Sequence, residues 1–150
     1  MGAGGPFGAL WTCPRCRRAF AARNQTHACR ALGSLDELFA GRPPEIRAIF
    51  DAVVASAERC GPVTVLPERT RIALQARTSF CALQPRRAWL DGHVVLARRL
   101  ESPRFRRIET FGPRNHLHAF RLASAGEVDD EVAAWLAEAY EVGMQRHLGG

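Results

Sequence analysis

The chain has 150 residues, which is enough for one domain of ordinary size with a small appendage. It carries 21 basic and 15 acidic residues, a formal net charge of +6. No stretch reaches the roughly 18 uncharged apolar residues of a membrane span, and the first residues lack the charged start and apolar core of a signal peptide. The composition therefore argues against a membrane protein, and we expect a soluble protein of the cytoplasm.

Residues 1–10 are rich in glycine and alanine and predict a flexible tail.

The segment 11–30 contains four potential metal ligands. Thiolates and an imidazole in a set of four suit tetrahedral zinc, and a set without an open position is typical of a structural site. The H-x-C half is shorter than the spacing of usual finger motifs, so the alternative is unrelated reduced cysteines and a loop histidine. We predict a zinc knuckle over 11–30 that holds structural Zn²⁺ through Cys13, Cys16, His27 and Cys29.

Two helices follow the knuckle in the sequence. The segment Ser34-Leu35-Asp36-Glu37 has the pattern of a capping box, which predicts a short helix that ends at Gly41. Pro43-Pro44 predicts the start of a second helix, and Gly61-Pro62 predicts its end. Its apolar residues fall on one stripe at helical spacing, which indicates that one side faces a core.

Between residues 63 and 122 the apolar pattern changes to that of β-strands. Short runs are separated by proline, glycine and arginine-rich turns. Connections this short favour antiparallel neighbours, so we expect a meandering sheet. The predicted strands are 63–66, 71–75, 80–84, 89–96, 106–111 and 117–122.

A last helix is predicted over 128–147. Acidic residues occupy its first turn, and Arg146 and His147 its last, which matches the helix dipole. The segment 31–150 is therefore predicted to be an α+β domain, an antiparallel sheet of about five or six short strands packed against N- and C-terminal helices. One face of the sheet is expected to be covered and the other open to solvent. We predict its main core residues to be Phe50, Val54, Phe80, Trp89, Phe120, Trp135, Leu136 and Tyr140. Cys60 and Cys81, each in an apolar run, are predicted to be reduced core residues.

All 21 basic residues are arginine. A GC-rich coding bias explains such a choice, but each arginine still offers a planar, permanently charged fork that suits phosphate or carboxylate. Arginines are concentrated in the knuckle and over 69–107, where ten of them stand against Asp91 and Glu101. In contrast, the segment 124–141 has six acids and no arginine. This asymmetry indicates an oriented electrostatic face and favours an anionic polymer as partner.

Several motifs together resemble a bacterial domain-of-unknown-function family. They are the knuckle over 11–29, Ser34-Leu35-Asp36, Phe80-Cys81-Ala82-Leu83, His118, and the acid-rich start of the last helix. Members of that family resemble each other in a C-x2-C knuckle joined to a small α+β domain. That domain is distantly similar to the MmcQ/YjbR-like double-wing fold, whose members are suspected DNA binders. The resemblance covers nearly the whole chain past residue 10, and it implies no activity.

Nucleic-acid binding is the first of three functional hypotheses. Arginines that contact phosphates give affinity without reading sequence, and an arginine-rich surface exposed only to solvent is the alternative. The candidate residues are Arg15, Arg17, Arg18 and Arg23 on the knuckle, with Arg98, Arg99, Arg104, Arg106 and Arg107.

The second hypothesis is a protein–protein adaptor that binds its partner through the acidic start of the last helix, although acids there also simply compensate the helix dipole. The third is a small enzyme. Its candidate groups are His116 and His118, with Glu109 and His93, and the alternative is that the two histidines are hydrogen-bonded within the sheet. Cys81 is a poor nucleophile because its apolar neighbours raise its pKa.

Overall fold

The computed structural model describes residues 11–12, 14, 19–20 and 34–146. Strands β1 (Trp11–Thr12) and β2 (Ala19–Phe20) pair antiparallel, with Trp11 opposite Phe20. The predicted tail and most of the predicted knuckle lie outside the described residues.

Helices α1 (Leu35–Phe39) and α2 (Pro44–Glu58) begin and end close to the predicted positions. The Ser34 hydroxyl accepts a hydrogen bond from the Glu37 amide at 3.2 Å, as expected of an N-cap. Gly41, just after α1, has a φ of +74°, a conformation that glycine adopts without strain.

The sheet contains six antiparallel strands, and all six predicted strand segments are confirmed. They are β3 (Thr64–Pro67), β4 (Ile72–Gln75), β5 (Ser79–Pro85), β6 (Leu90–Leu96), β7 (Arg107–Gly112) and β8 (Asn115–Leu122). Their order is β3-β4-β5-β6-β8-β7, so the expected meander is wrong at one place. The connection 97–106 is long enough for β7 to pass to the edge, and β8 pairs with β6 instead.

Helix α3 (Asp130–Gly143) is shorter than predicted at both ends. A 3₁₀ turn (Ala125–Glu127) precedes it, and Asp129 is its N-cap, with a carboxylate that accepts from the Val132 amide at 3.1 Å. The Gly143 carbonyl accepts hydrogen bonds from the Arg77 and Thr78 amides, each at 2.9 Å. The turn between β4 and β5 therefore satisfies the helix end, and Arg146 lies beyond the last turn in which we expected it.

Both long helices pack on one face of the sheet and enclose the core. Of the eight predicted core residues, six are at most 3% exposed: Phe50, Phe80, Phe120, Trp135, Leu136 and Tyr140. Val54 is partly buried at the edge of this cluster. Trp89 lies outside the core cluster, where its ring stacks under the Arg121 guanidinium at 4.0 Å.

The two cysteines of the described domain are free, but only one lies in the core. Cys81 is buried, as predicted. Cys60 is exposed, so its predicted core position is wrong. The reason is that α2 ends at Glu58, and Cys60 belongs to the turn that leads to Gly61.

Candidate functional site

The sheet face opposite the helices has a hollow built from small side chains. Cross-strand pairing places Ala82, His93 and Ala119 side by side on β5, β6 and β8, and Ala73 pairs with Ala82 from the other side. Ala73 and Ala82 are only 5% and 7% exposed, although among the described residues both long helices pack on the other face. Longer side chains around them must therefore rise above the alanines and enclose them.

These longer side chains are mostly arginines. They border a cavity of about 370 Å³. We call it the open-face pocket and define it by its floor of Ala82, His93 and Ala119 and by five arginines at its rim: Arg71, Arg86, Arg106, Arg107 and Arg121. The acids that line it are Asp91 and Glu109. Positive charge therefore exceeds negative charge at this surface.

Strand register explains why the arginines meet there. Pro67 pairs with Ile72, Pro85 with Leu90, and Leu90 with Leu122, so the β3–β4 turn, the β5–β6 turn and the end of β8 lie at one end of the sheet. The start of β7 lies near the same end, because Arg107 pairs with Ala119. Arg69 and Arg87 belong to the two turns and extend the basic region beyond the pocket.

Four of the five rim arginines contact a carboxylate, and each does so through its own Nε atom. Arg71 donates through Nε to Glu68 at 2.8 Å, and Arg121 donates through Nε to Asp91 at 2.9 Å. Arg86 contacts the other oxygen of Asp91 through Nε at 3.0 Å, and Arg107 contacts Glu109 through Nε. Within the described part of the chain, Arg106 forms no ion pair or side-chain hydrogen bond. The pocket therefore combines fixed guanidinium groups with one cation that has no acidic partner there.

The pKa values at the pocket follow from this charge distribution. Partial burial of Asp91 works to raise its pKa, but hydrogen bonds from Arg121 and Arg86 outweigh burial and lower the pKa. Burial of His93, together with the charges of Arg71 and Arg107, lowers its pKa to about 4. At neutral pH Asp91 is thus a carboxylate, and His93 is a neutral imidazole that can both donate and accept a hydrogen bond.

The structure divides the predicted arginines of the segment 98–107. Arg106 and Arg107 border the open-face pocket. Arg98 instead forms two hydrogen bonds with Glu138 of α3, both at 3.0 Å, and Arg99 contacts Glu101 at 3.1 Å. The connection 97–106 runs along the helix side of the sheet, so these two arginines lie away from the pocket.

Arg104 joins the basic segment to the acidic start of α3. Its guanidinium contacts Asp129 at 3.0 Å and Glu131 at 3.1 Å, and it lies 5.2 Å from the centre of the Trp135 ring. The backbone hydrogen bond from Val132, assisted by Arg104, lowers the pKa of Asp129. Two of the three acids in the predicted adaptor surface are therefore already paired within the domain.

The histidines of the enzyme hypothesis do not converge with their predicted partners. His116 and His118 face the helices, whereas Glu109 and His93 lie on the opposite face. His118 is fully buried; its Nε2 accepts from the Leu100 amide at 2.9 Å, and its Nδ1 donates to the His116 carbonyl at 3.0 Å. His116 contacts the Thr110 hydroxyl at 2.9 Å. Both histidines thus have hydrogen-bond partners within the fold.

Burial also decides the state of the Cys81 thiol, because it raises the pKa well above its usual value. A thiol in this state is a poor nucleophile, as the sequence indicated.

No cluster of three or more potential metal ligands occurs in the residues that the structure describes. The predicted zinc ligands Cys13, Cys16, His27 and Cys29 lie outside the described residues, and so do Arg15, Arg17, Arg18 and Arg23. Within the described ranges, no helix is long and apolar enough to cross a membrane.

Sequence reasoning missed three of the pocket arginines, Arg71, Arg86 and Arg121. The signal was present in the alternation of the strands. On β6, Asp91 and His93 alternate with the buried Leu90 and Val94, so they must lie on the face away from the helices. Polar residues at such positions on several strands mark a surface, but grouping them requires the strand order.

Comparison with known proteins gives one match. Residues 35–143 match the model of a protein family described as Domain of unknown function (DUF5655). At a significant level, the chain matches no curated protein and no solved structure.

Proposed function

Because the chain belongs to the DUF5655 family, whose function is unknown, we propose from its geometry that it is a nucleic-acid-binding protein that contacts phosphates through arginines on the open face of the sheet. The observation that carries this proposal is the gathering of arginines at one end of the sheet. Five border the open-face pocket, and Arg69 and Arg87 lie in the adjacent turns. Contacts of this kind fix affinity and position but carry little sequence information.

The predicted zinc knuckle is part of the proposal. Its four ligands, Cys13, Cys16, His27 and Cys29, would hold Zn²⁺ as a structural ion, and its arginines would add phosphate contacts. The antiparallel pairing of β1 with β2 supports it, because Cys13 and Cys16 stand between these two strands in the sequence. The distant similarity to the MmcQ/YjbR-like double-wing fold is likewise proposed and is consistent with suspected DNA binding.

Ion pairing within the domain ranks individual arginines and not whole surfaces, since four of the five pocket arginines also contact an acid. Arg98, Arg99 and Arg104 have acidic partners on or near α3, so a ligand phosphate would have to compete with those partners. The adaptor hypothesis loses support for the same reason, since Arg104 already contacts Asp129 and Glu131, two of the acids that a partner would need. Arg87 and Arg106 have no such partner within the described residues and are free to contact phosphates.

Binding of the full chain to a mixed pool of DNA and RNA, measured over a salt series, tests the proposal. Arg87→Gln/Arg106→Gln should weaken binding to all sequences alike and reduce the salt slope by up to about two units, roughly one per lost phosphate contact. The matched control Arg98→Gln/Arg99→Gln also removes two charges, but on the helix side, and should bind like the wild type.

Replacing Arg15, Arg17 and Arg18 by Gln in the same assay measures how much the knuckle contributes to binding. The salt slope should fall by up to about three units. If the wild-type protein shows no salt-sensitive retention of either nucleic acid at low ionic strength, the proposal is wrong. A partner protein that is lost on charge reversal at Asp129, Asp130 and Glu131 would then favour the adaptor.

A further inference from the structure

The arginines of the open-face pocket come from separate strands and turns but border one cavity. Arg71 precedes β4, Arg86 lies in the turn after β5, and Arg107 and Arg121 come from β7 and β8. A surface that follows a nucleic-acid backbone has its cations along a track. Guanidinium groups around one cavity suit a single compact anion, which they can hold by paired hydrogen bonds.

We propose that the open-face pocket binds a terminal phosphate, the phosphomonoester group of either a small free ester such as a mononucleotide or the end of a nucleic-acid strand. For the end of a nucleic-acid strand, this inference rests on the proposed function. Charge supports the monoester, because the five rim arginines exceed the lining acids Asp91 and Glu109. A phosphomonoester carries a charge of about −1.5 to −2 at neutral pH, more than the single charge of an internal phosphodiester.

The carboxylates around the pocket bind the Nε atoms of the arginines and leave their terminal amino groups available for a phosphate. Glu68, Asp91 and Glu109 accept hydrogen bonds from Nε atoms of Arg71, Arg121 and Arg107. Among the described residues, the terminal amino groups of these three arginines have no side-chain hydrogen-bond partner, although the Arg121 guanidinium stacks on the Trp89 ring. The acids thus hold each guanidinium from the side, while the terminal amino groups remain available to a ligand. Donors fixed in advance lose less conformational entropy when a ligand binds.

The size of the cavity fits a small ester. A volume of about 370 Å³ lies at the lower end of the range for small-molecule sites. The floor of Ala82 and Ala119 offers an apolar surface next to the His93 ring, where a flat group attached to the phosphate can pack. Larger side chains at the two alanine positions would fill this space, so the hollow depends on their small size.

His93 offers a direct spectroscopic reporter. Around it lie the cations Arg71 and Arg107 and the carboxylate Glu109, with Asp91 and Arg121 on neighbouring positions of β6 and β8. A phosphate held by the arginines would add negative charge next to the imidazole. Bound ligand should therefore raise the pKa of His93, which is about 4 in the free protein.

The first experiment compares three adenine compounds as ligands of the full chain. Adenosine monophosphate should bind, adenosine should not, and cyclic adenosine monophosphate, a diester with the same base, should bind at least about tenfold more weakly. Nuclear magnetic resonance of the His93 ring should show its pKa rising only with the monoester. Equal binding of all three compounds, or an unchanged His93 pKa at saturation with the monoester, would overturn the inference.

Variants locate the site. Arg71→Gln/Arg107→Gln should weaken binding of adenosine monophosphate at least about tenfold, whereas Arg98→Gln/Arg99→Gln should leave it unchanged. A loss of the same size in both variants would show that general charge, and not the pocket, holds the ligand. Since the comparison of the three ligands needs only wild-type protein, a variant that fails to fold does not remove the test.

Oligonucleotides with and without a 5′ phosphate distinguish the two sources. Tighter binding of the phosphorylated strand supports the strand end, and binding of adenosine monophosphate alone supports a free ester. If adenosine monophosphate binds and no oligonucleotide is retained, the proposed function fails while the pocket assignment stands. If oligonucleotides bind equally with and without the phosphate and adenosine monophosphate does not bind, the pocket assignment fails while the proposed function stands.

Discussion

His118 and His93 lie on opposite faces of the sheet and differ in what surrounds them. His118 is enclosed by the core and is hydrogen-bonded through both ring nitrogens, which explains its conformation without any ligand. His93 has alanine neighbours and arginines above it. Both have a lowered pKa, with burial as the largest cause. Only His93 combines this property with an accessible cavity.

The first prediction concerns stability in mild acid. An unfolded histidine has a pKa near 6.5, while the pKa of folded His93 is about 4. Above pH 6.5 both states are neutral and the stabilisation is complete; as the pH falls from 6.5 towards 4, only the unfolded state gains the proton. The free energy of unfolding should therefore fall by about 2 kcal/mol between pH 7 and 5 from His93 alone. His118, with its lowered pKa, acts in the same direction.

Thermal unfolding in phosphate-free buffer at pH 7, 6 and 5 measures this loss. The variant His93→Gln should show a flatter dependence of the melting temperature on pH than the wild type. A wild-type melting temperature that is constant over this range would contradict the prediction.

At the scale of elements, α3 closes the core over the central strands. Trp135 is 2% exposed, and its ring contacts Phe105 and Phe120 at centroid distances of 4.4 and 5.4 Å. Tyr140, one turn further, donates a hydrogen bond to the Pro62 carbonyl at 2.9 Å and so ties α3 to the end of α2. The helix thus contacts the sheet, the connection 97–106 and the segment after α2.

Replacing Trp135 by alanine should therefore be costly. We expect a loss of about 3 to 5 kcal/mol in the free energy of unfolding, from lost burial and the cavity left behind. Trp89→Ala is the matched control, because Trp89 stacks on Arg121 outside the core cluster and should cost much less. Denaturant unfolding of both variants gives the comparison, and similar losses in the two would show that α3 does not close the core.

The elements themselves could be predicted from sequence more fully than their arrangement. Periodicity located the six strands and the two long helices, because it reflects which side of each element is buried, and the capping box located α1; the 3₁₀ turn Ala125–Glu127 was missed. It could not give the pairing of β6 with β8, since that depends on a long connection and on contacts distant in sequence. The bulge at Phe80, opposite Leu74 and Gln75, also escaped prediction. The open-face pocket needed this strand order, so its arginines could be counted in the sequence but not grouped.

Across the whole molecule, the charge asymmetry of the sequence is partly cancelled by folding. The connection 97–106 brings Arg98 and Arg104 against the acids of α3, and the pairs neutralise one another on the helix side. On the other side of the sheet, the five arginines at the rim of the open-face pocket exceed its two lining acids, Asp91 and Glu109. Residues 34–146 carry 16 arginines and 15 acids, so the fold separates nearly balanced charges and leaves the positive excess at the open face of the sheet.

The proposed zinc site leads us to expect that the knuckle and the 34–146 domain unfold independently of each other. The knuckle has few apolar residues to bury, so its folding should depend on the binding free energy of a structural zinc ion. A chelator should thus unfold the knuckle but leave the melting temperature of the 34–146 domain nearly unchanged, because its core is built from α2, α3 and the six-stranded sheet. Metal analysis should give one zinc per chain. Purified protein without zinc, or a single transition that a chelator shifts strongly, would contradict this prediction.

The position of α3 late in the chain has a consequence for synthesis on the ribosome. Strands β5 and β6 emerge before α3, and their buried side chains, including Phe80, have their main cover in α3. Until residues 130–143 have left the exit tunnel, this apolar face is exposed to water. A nascent chain stopped before α3 should therefore be recognised by chaperones or aggregate, and the domain should acquire its stable fold only as the helix is released.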